Sequence, residues 1–204
     1  EAFTKHRKPM LMIFLMTSGA FVTYWLIFSF MTTYVSQFLK LPMSTGFSLT
    51  AITLLAYIIA LPLVGMLADK FGRRPMLLLG AGGIVLFAYP LFHVLAQTTT
   101  FGAMAAVVAL LAIIFAMFNG PFTVVMSELF PPSVRVTGVS VPYQLGSAVF
   151  AGTAMMMATW FVDKTGNVMA VPIYIICMMA VTLLITIFFY KEQGCGLLPR
   201  LSCI

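Results

Sequence analysis

Charge is what this sequence has least of. Asp, Glu, Lys and Arg make up 8% of its 204 residues, against about 25% in an ordinary soluble domain. Five acids and two histidines leave little material for acid–base chemistry. An intramembrane enzyme needs a Ser–His pair, paired Asp residues or a His-rich metal constellation inside its apolar segments. None can be assembled from the sequence, so no catalytic residue and no metal ligand is expected. The three cysteines, Cys177, Cys195 and Cys203, fit no metal-ligand spacing and read as reduced thiols. No cleavable signal peptide is expected, because the apolar run after the charged stretch Glu1 to Pro9 is long enough to span. The missing initiator Met leads us to expect a chain cut from something longer. These absences exclude a soluble enzyme, a disordered chain and a nucleic-acid module.

Apolar length is what remains. Hydrophobic residues reach 62%, where about 45–50% is usual. They fall into six runs, at about Met10–Phe38, Thr45–Leu67, Met76–Ala96, Phe101–Met126, Gly138–Val162 and Val168–Tyr190. Each is long enough, at about 1.5 Å per helical residue, to cross about 30 Å of hydrocarbon. The runs are continuous rather than alternating, which argues against strands of a barrel. The expected fold is an all-α integral membrane protein, a bundle of six transmembrane helices. Residues 1–9 would be a lead-in, 10–190 the bundle and 191–204 a tail.

Six spans place both termini on one side. That side carries Lys5, Arg7, Lys8, Lys70, Arg73, Arg74, Arg135, Lys191 and Arg200, and the other only Lys40 and Lys164. Basic residues favour the cytoplasmic side, so both termini are expected there. The net charge of +6 is then a matter of orientation, not of nucleic acid.

Two loops concentrate the charge. One reads G-M-L-A-D-K-F-G-R-R-P from Gly65 to Pro75, the other S-E-L-F-P-P-S-V-R-V-T-G from Ser127 to Gly138. Asp69 and Glu128 are expected just past the C-termini of helices two and four, and Arg73, Arg74 and Arg135 just before the N-termini of helices three and five. Every one of these charges opposes its helix dipole, at about 0.3–1 kcal/mol each. Such placement predicts pairing, of the acids with Arg73, Arg74 or Arg135 or with the facing helix ends of a second bundle. Gly65 would allow close helix approach and Gly72 a tight turn.

The stretch Gly65 to Arg74 resembles the loop signature of the major facilitator superfamily, which recurs once in each six-helix half. The spacing of Glu128 and Arg135 is similar to that after the fourth helix of a half. The run E-L-F-P-P-S-V-R-V-T-G-V-S resembles the metabolite:proton symporter branch, which includes proline/betaine, shikimate and dicarboxylate transporters. The resemblance covers about residues 1 to 192. It implies that Asp69, Arg73 and Arg74 belong to a latch at the cytoplasmic gate, and that Glu128 and Arg135 form a linked ion pair. The K-H-R-K lead-in resembles the end of the superfamily's central loop, and E-L-F-P is most familiar from the second half. The implied protein is the C-terminal half of a secondary transporter, moving a small organic metabolite by alternating access in a bacterial inner membrane.

In that superfamily the first, second, fourth and fifth helices of a half line the cavity. The candidates are then Tyr24, Trp25 and Phe28 on helix one, Asn119 on helix four, and Tyr143 and Gln144 on helix five. No cofactor is implied, and the coupling ion would be a proton. No Asp, Glu, Lys or Arg lies well inside a span, so the titrating group is expected in the other half, with His93 a rim histidine. A cavity between bundles requires a second bundle as partner, either a missing N-terminal half or a second copy. Two alternatives stay open: a non-transporting fragment or half-sized subunit, and a six-span channel. The channel is disfavoured because only N-G-P at Asn119 stands where paired Asn-Pro-Ala turns are expected.

Overall fold

Inside hydrocarbon a continuous apolar run satisfies its backbone only as a helix. The computed structural model describes residues 7–38, 40–98 and 100–189. The lead-in residues 1–6, and the tail with Lys191, Cys195, Arg200 and Cys203, lie outside the described residues. Among those described, six helical spans of 19 to 31 residues are long and apolar enough to cross a membrane. The first span is α1 (Arg7–Phe28), followed by a short α2 (Phe30–Thr33) and a π-helical turn (Tyr34–Phe38). The second, third and fourth are α3 (Met43–Phe71), α4 (Arg73–Gln97) and α5 (Phe101–Glu128). The fifth joins α6 (Arg135–Gly146), a π-helical turn (Ser147–Ala151) and α7 (Gly152–Thr165). The sixth is α8 (Ala170–Phe189).

The span ends differ from their sequence outlines by a few residues, and two spans are interrupted. The run Met10–Phe38 is interrupted at Ser29, after α1 closes with the Ser29 N–H donating to the Trp25 carbonyl at 3.0 Å. The fifth span runs longer than Gly138–Val162 and contains a π turn, flanked by Gly146 and Gly152. Such a turn widens the helix locally and is common beside functional sites.

The helices pack α5 on both α3 and α4, α1 on α8 and α6, and α4 on α8. Small residues set the closest crossings. A Cβ on Gly80 of α4 would overlap the Phe118 backbone of α5. Between α1 and α8, the Gly19 N–H donates to the Thr182 hydroxyl at 3.1 Å, and Thr182 is fully buried. Without a strong hydrophobic drive between helices in lipid, such contacts and hydrogen bonds carry the association.

Burial is uneven. The first span is 67% buried, against 28% for the second and 22% for the fifth. The outer face of α3 therefore presents Leu55, Ile58, Ile59 and Met66. In water that face would be a large apolar patch; in a bilayer it meets lipid or another bundle.

Gly72 has φ 96°, a left-handed conformation that glycine adopts without strain. It lets α4 start directly after α3. In consequence the loop charges sit inside terminal helical turns, not beyond them: Asp69 in the last turn of α3, Glu128 at the end of α5, Arg73 and Arg74 in the first turn of α4. Gly65 does not mediate a close approach within this bundle. A Cβ there would meet nothing within 4 Å, because the packed face of α3 runs through Tyr57, Ala60, Val64 and Ala68.

Candidate functional site

Two clusters of candidate side chains lie along α5, one at its charged end and one in its middle. At the charged end, packing of α5 against α4 brings the last residue of one beside the first of the other. The Arg73 guanidinium donates to the Glu128 carboxylate. Asp69 lies across the Gly72 break, its carboxylate 4.0 Å from the same guanidinium. Each of the two helix ends carries a charge its dipole disfavours, and the Arg73–Glu128 pairing offsets both. Arg73 is 29% exposed and Glu128 47%, so solvent screening holds the pair's stabilisation to about 0–1 kcal/mol.

The other two arginines are engaged differently. Arg74 donates to the Ile187 carbonyl at 3.1 Å, tying the start of α4 to the last turn of α8. The Arg135 Nε donates to the Phe130 carbonyl at 3.3 Å. Phe130 is itself buried, with its ring beneath Gly138, where a Cβ would overlap it. Arg135 thus closes its own loop. The Glu128–Arg135 ion pair implied by the resemblance does not form here, because the α5–α6 loop folds Arg135 back on Phe130 while Arg73 takes the carboxylate.

In the middle of the bundle lies a cleft of about 310 Å³ between α1, α5 and the fifth span. Its lining is Ala20, Phe21, Tyr24, Trp25, Phe115, Asn119, Phe122, Tyr143 and Ser147. Tyr24, Trp25, Asn119 and Tyr143, expected from the sequence, therefore meet around one space. Phe28 is buried just behind the lining, its ring 4.8 Å from Tyr24 and 5.0 Å from Tyr57. Gln144 is exposed and outside the lining. Phe21, Phe115, Phe122 and Ser147 were not expected there. Phe21 packs on Tyr143 with ring centroids 5.0 Å apart.

Tyr57, behind the lining, is a further residue that sequence reasoning missed. The Asn119 amide donates to its hydroxyl. Its ring stacks on Phe115 at 6.0 Å. The hydrogen bond uses the NH₂ end of Asn119 and leaves the amide oxygen without a protein partner among the described residues. Two residues on, Pro121 breaks the backbone hydrogen-bond ladder of α5, and Gly120 lets Val64 of α3 approach. The signal was present: Tyr57 is the one tyrosine of α3, a polar-tipped aromatic inside a 29-residue apolar helix. His93 lies toward the opposite end of α4 from Arg73, exposed and 3.4 Å from Gln97.

The family model described as "Sugar (and other) transporter" matches residues 1–195. The chain belongs to that family. It is a family of transporters, not of enzymes, and it places the chain in the major facilitator superfamily. The metabolite:proton symporter branch is supported by the relatives it matches. The chain is 29% identical over 194 residues to the proline/betaine transporter of Escherichia coli strain K12, covering 95% of this chain and 38% of that protein. It is 31% identical over 188 residues to the citrate-proton symporter of Klebsiella pneumoniae, covering 92% of this chain and 41% of that one. A glycine betaine/proline/ectoine/pipecolic acid transporter of Dickeya dadantii is 27% identical over 194 residues, with 95% and 38% covered. The chain thus spans about two fifths of the length of these relatives. No solved structure matches it.

Proposed function

We propose that this chain is the C-terminal six-helix half of a secondary active transporter, which moves a small organic metabolite by alternating access, with proton symport. The observation that carries the reading is the cleft, lined by aromatic and polar side chains of this one bundle. Its walls come from α1, α5 and the fifth span, and Trp25 on its border is 37% exposed. In a carrier of two bundles the solute site lies between them, and a second bundle would complete this cleft. The charged end supports the same reading. Arg73, Glu128 and Asp69 form a screened pair with a flanking acid, weak enough to break and remake as two bundles rock.

The second bundle is an N-terminal half, with the mostly exposed apolar faces of the second and fifth spans meeting it or lipid. Both termini and the Arg73–Glu128 rim face the cytoplasm of a bacterial inner membrane. The relatives carry zwitterions and a tricarboxylate, so the solute class at this level is a small polar organic molecule. Among the described residues the spans bury no carboxylate, and on this reading the coupling proton titrates a group on the other bundle.

The test is uptake by the full-length protein in proteoliposomes under an imposed pH gradient, with labelled proline, glycine betaine and citrate. Accumulation of one of them, abolished by a protonophore, is expected. Neither uptake nor counterflow of any of these solutes would end the carrier reading. Accumulation that ignores the protonophore would remove the proton alone. Topology has its own check. A cysteine at Lys164 should react with an impermeant maleimide in intact cells, and one at Lys70 only after permeabilisation.

A further inference from the structure

We infer that α7, the half of the fifth span remote from the charged rim, is a lid beside the cleft with two seatings, switched by the π turn Ser147–Ala151. The inference rests on the carrier reading for the cleft's being a solute path. What it adds is a moving part inside this bundle. Ser147, the first residue of the turn, borders the cleft, and α7 continues the span from there.

The two halves of the span are held differently. α6 is pinned to α1: a Cβ on Gly146 would overlap Thr17, and the Tyr143 ring packs on Phe21. Within the turn, the Phe150 ring lies 5.3 Å from that of Phe14. The buried residues of α7 are Ala154, Ala158 and Val162, none larger than valine. Its Thr153, Thr159 and Thr165 hydroxyls donate to carbonyls of their own span, so they do not fasten it to a neighbour. Met156 and Trp160 are exposed. At the far end Gly166, with φ 62°, opens the short link to α8. α7 is thus a 14-residue helix between two joints.

The register of the span shows what the π turn does. Residues advance by about 100° along an α-helix, so Gly146 and Ala154 would stand about 80° apart on an uninterrupted one. A π turn houses one residue more, which takes out about 100° and leaves the two within about 20°. Both halves therefore set their small faces toward the bundle. With α6 held, relaxing the turn to α would rotate α7 by about 100° and advance it by about 1.5 Å. Thr153, Met157 and Phe161 would then stand where Ala154, Ala158 and Val162 stand now. All three are already half-buried at the edge of that face. Met157 and Phe161 overfill the places of Ala158 and Val162, so α7 has to lift. The seated lid is the state in this structure, and the lifted one opens the cleft at that end. Gly166 absorbs the rotation, having no Cβ to clash.

The experiment reads the movement as a distance between spin labels, in the full-length protein with its other cysteines replaced by serine. The labels sit on Gln97→Cys and Lys164→Cys, exposed positions at the same end of α4 and α7. Both lie in this bundle, so rigid rocking of two bundles leaves their separation unchanged. Proteoliposomes are measured without solute and with proline, glycine betaine and citrate in turn. Two separations, several ångströms apart, are expected in the unaltered span. Deleting Val149, an exposed residue of the turn, removes the spare residue and should leave only the seated separation. Ala158→Leu overfills the seat and should leave only the lifted one. Unfolding temperatures show which variants keep their fold, and either folded variant decides, because the two shift the distances in opposite directions. Turnover in uptake should fall at least about fivefold in both, as when a lid is held in one position. One separation under all four conditions in the unaltered span, a distribution that a folded variant leaves unchanged, or full turnover after the deletion would overturn the inference. The two readings fail separately. Two separations without uptake would leave the lid and remove the carrier; uptake with a single separation would do the reverse.

Discussion

The same helix carries two candidate sites built on opposite principles. At Glu128, α5 ends in a charge that is half exposed, paired with Arg73 and flanked by Asp69. Nine residues earlier, at Asn119, it presents an amide among aromatic rings with no charge beside it. The separation is about 14 Å along the axis. The rim is exposed and its pairings are individually weak; the cleft is lined by no charged side chain, and the Asn119–Tyr57 hydrogen bond beside it is part-buried. The proposed carrier needs both. A clasp must open in every cycle, so its free energy has to be small. A recognition site has to keep its geometry while it waits.

The strongest way to break the contrast is to reverse the rim. Glu128→Arg places like charges together at the α4–α5 ends. Uptake by the full-length protein should fall at least about tenfold, while the unfolding temperature moves by no more than about 4 °C, as for a screened pair. The exchange Arg73→Glu with Glu128→Arg restores the pair and should recover part of the uptake. A large loss of stability in Glu128→Arg would show that the rim is structural and not a clasp.

Next in size is the cleft. Asn119→Ala removes the partner of the Tyr57 hydroxyl and the acceptor in the cleft. The half-saturation concentration should rise about three- to tenfold, the worth of one part-buried hydrogen bond, with maximal rate less affected. Tyr57→Phe should give a smaller change in the same direction. Unchanged kinetics in both would remove the pair from the site.

Salt sharpens the comparison without mutation. Raising ionic strength from about 0.15 M to 1 M shortens the Debye length from about 8 Å to 3 Å. The rim is exposed, so the turnover rate should shift; the affinity read at the cleft should hold within about twofold. Equal sensitivity of both would mean that affinity at the cleft depends on charge as the rim does.

These two sites were not equally legible in the sequence. The spans were, because continuous apolar runs admit one backbone solution in a membrane. The rim was legible in its members, since five charges on unfavourable helix ends demand pairing. Its partner choice was not. Arg135 and Arg73 are equivalent on paper; in the structure Arg135 donates to the Phe130 carbonyl while Arg73 pairs with Glu128. Arg74, adjacent to Arg73, points to α8 instead, a consequence of the helical turn of about 100° between neighbours. The cleft was legible where polar or aromatic residues interrupt a span, as at Tyr24, Trp25, Asn119 and Tyr143. Phe21, Phe115 and Phe122 read as ordinary filler, because nothing in their spacing says which ring faces an open space. The π turn at Ser147–Ala151 has no sequence signal beyond its flanking glycines.

The smallest expected effect separates neighbours. Tyr143 and Gln144 are adjacent, and from sequence both are cavity candidates. In the structure Tyr143 lines the cleft and touches Phe21, while Gln144 is exposed on another face of α6. Gln144→Ala should therefore leave uptake within about twofold, as for an ordinary surface change. Tyr143→Ala should exceed it clearly, by losing a ring from the cleft. Were Gln144→Ala the more damaging, α6 would have to turn by about one residue during the cycle, and the π turn beside it would be the place where that rotation is absorbed.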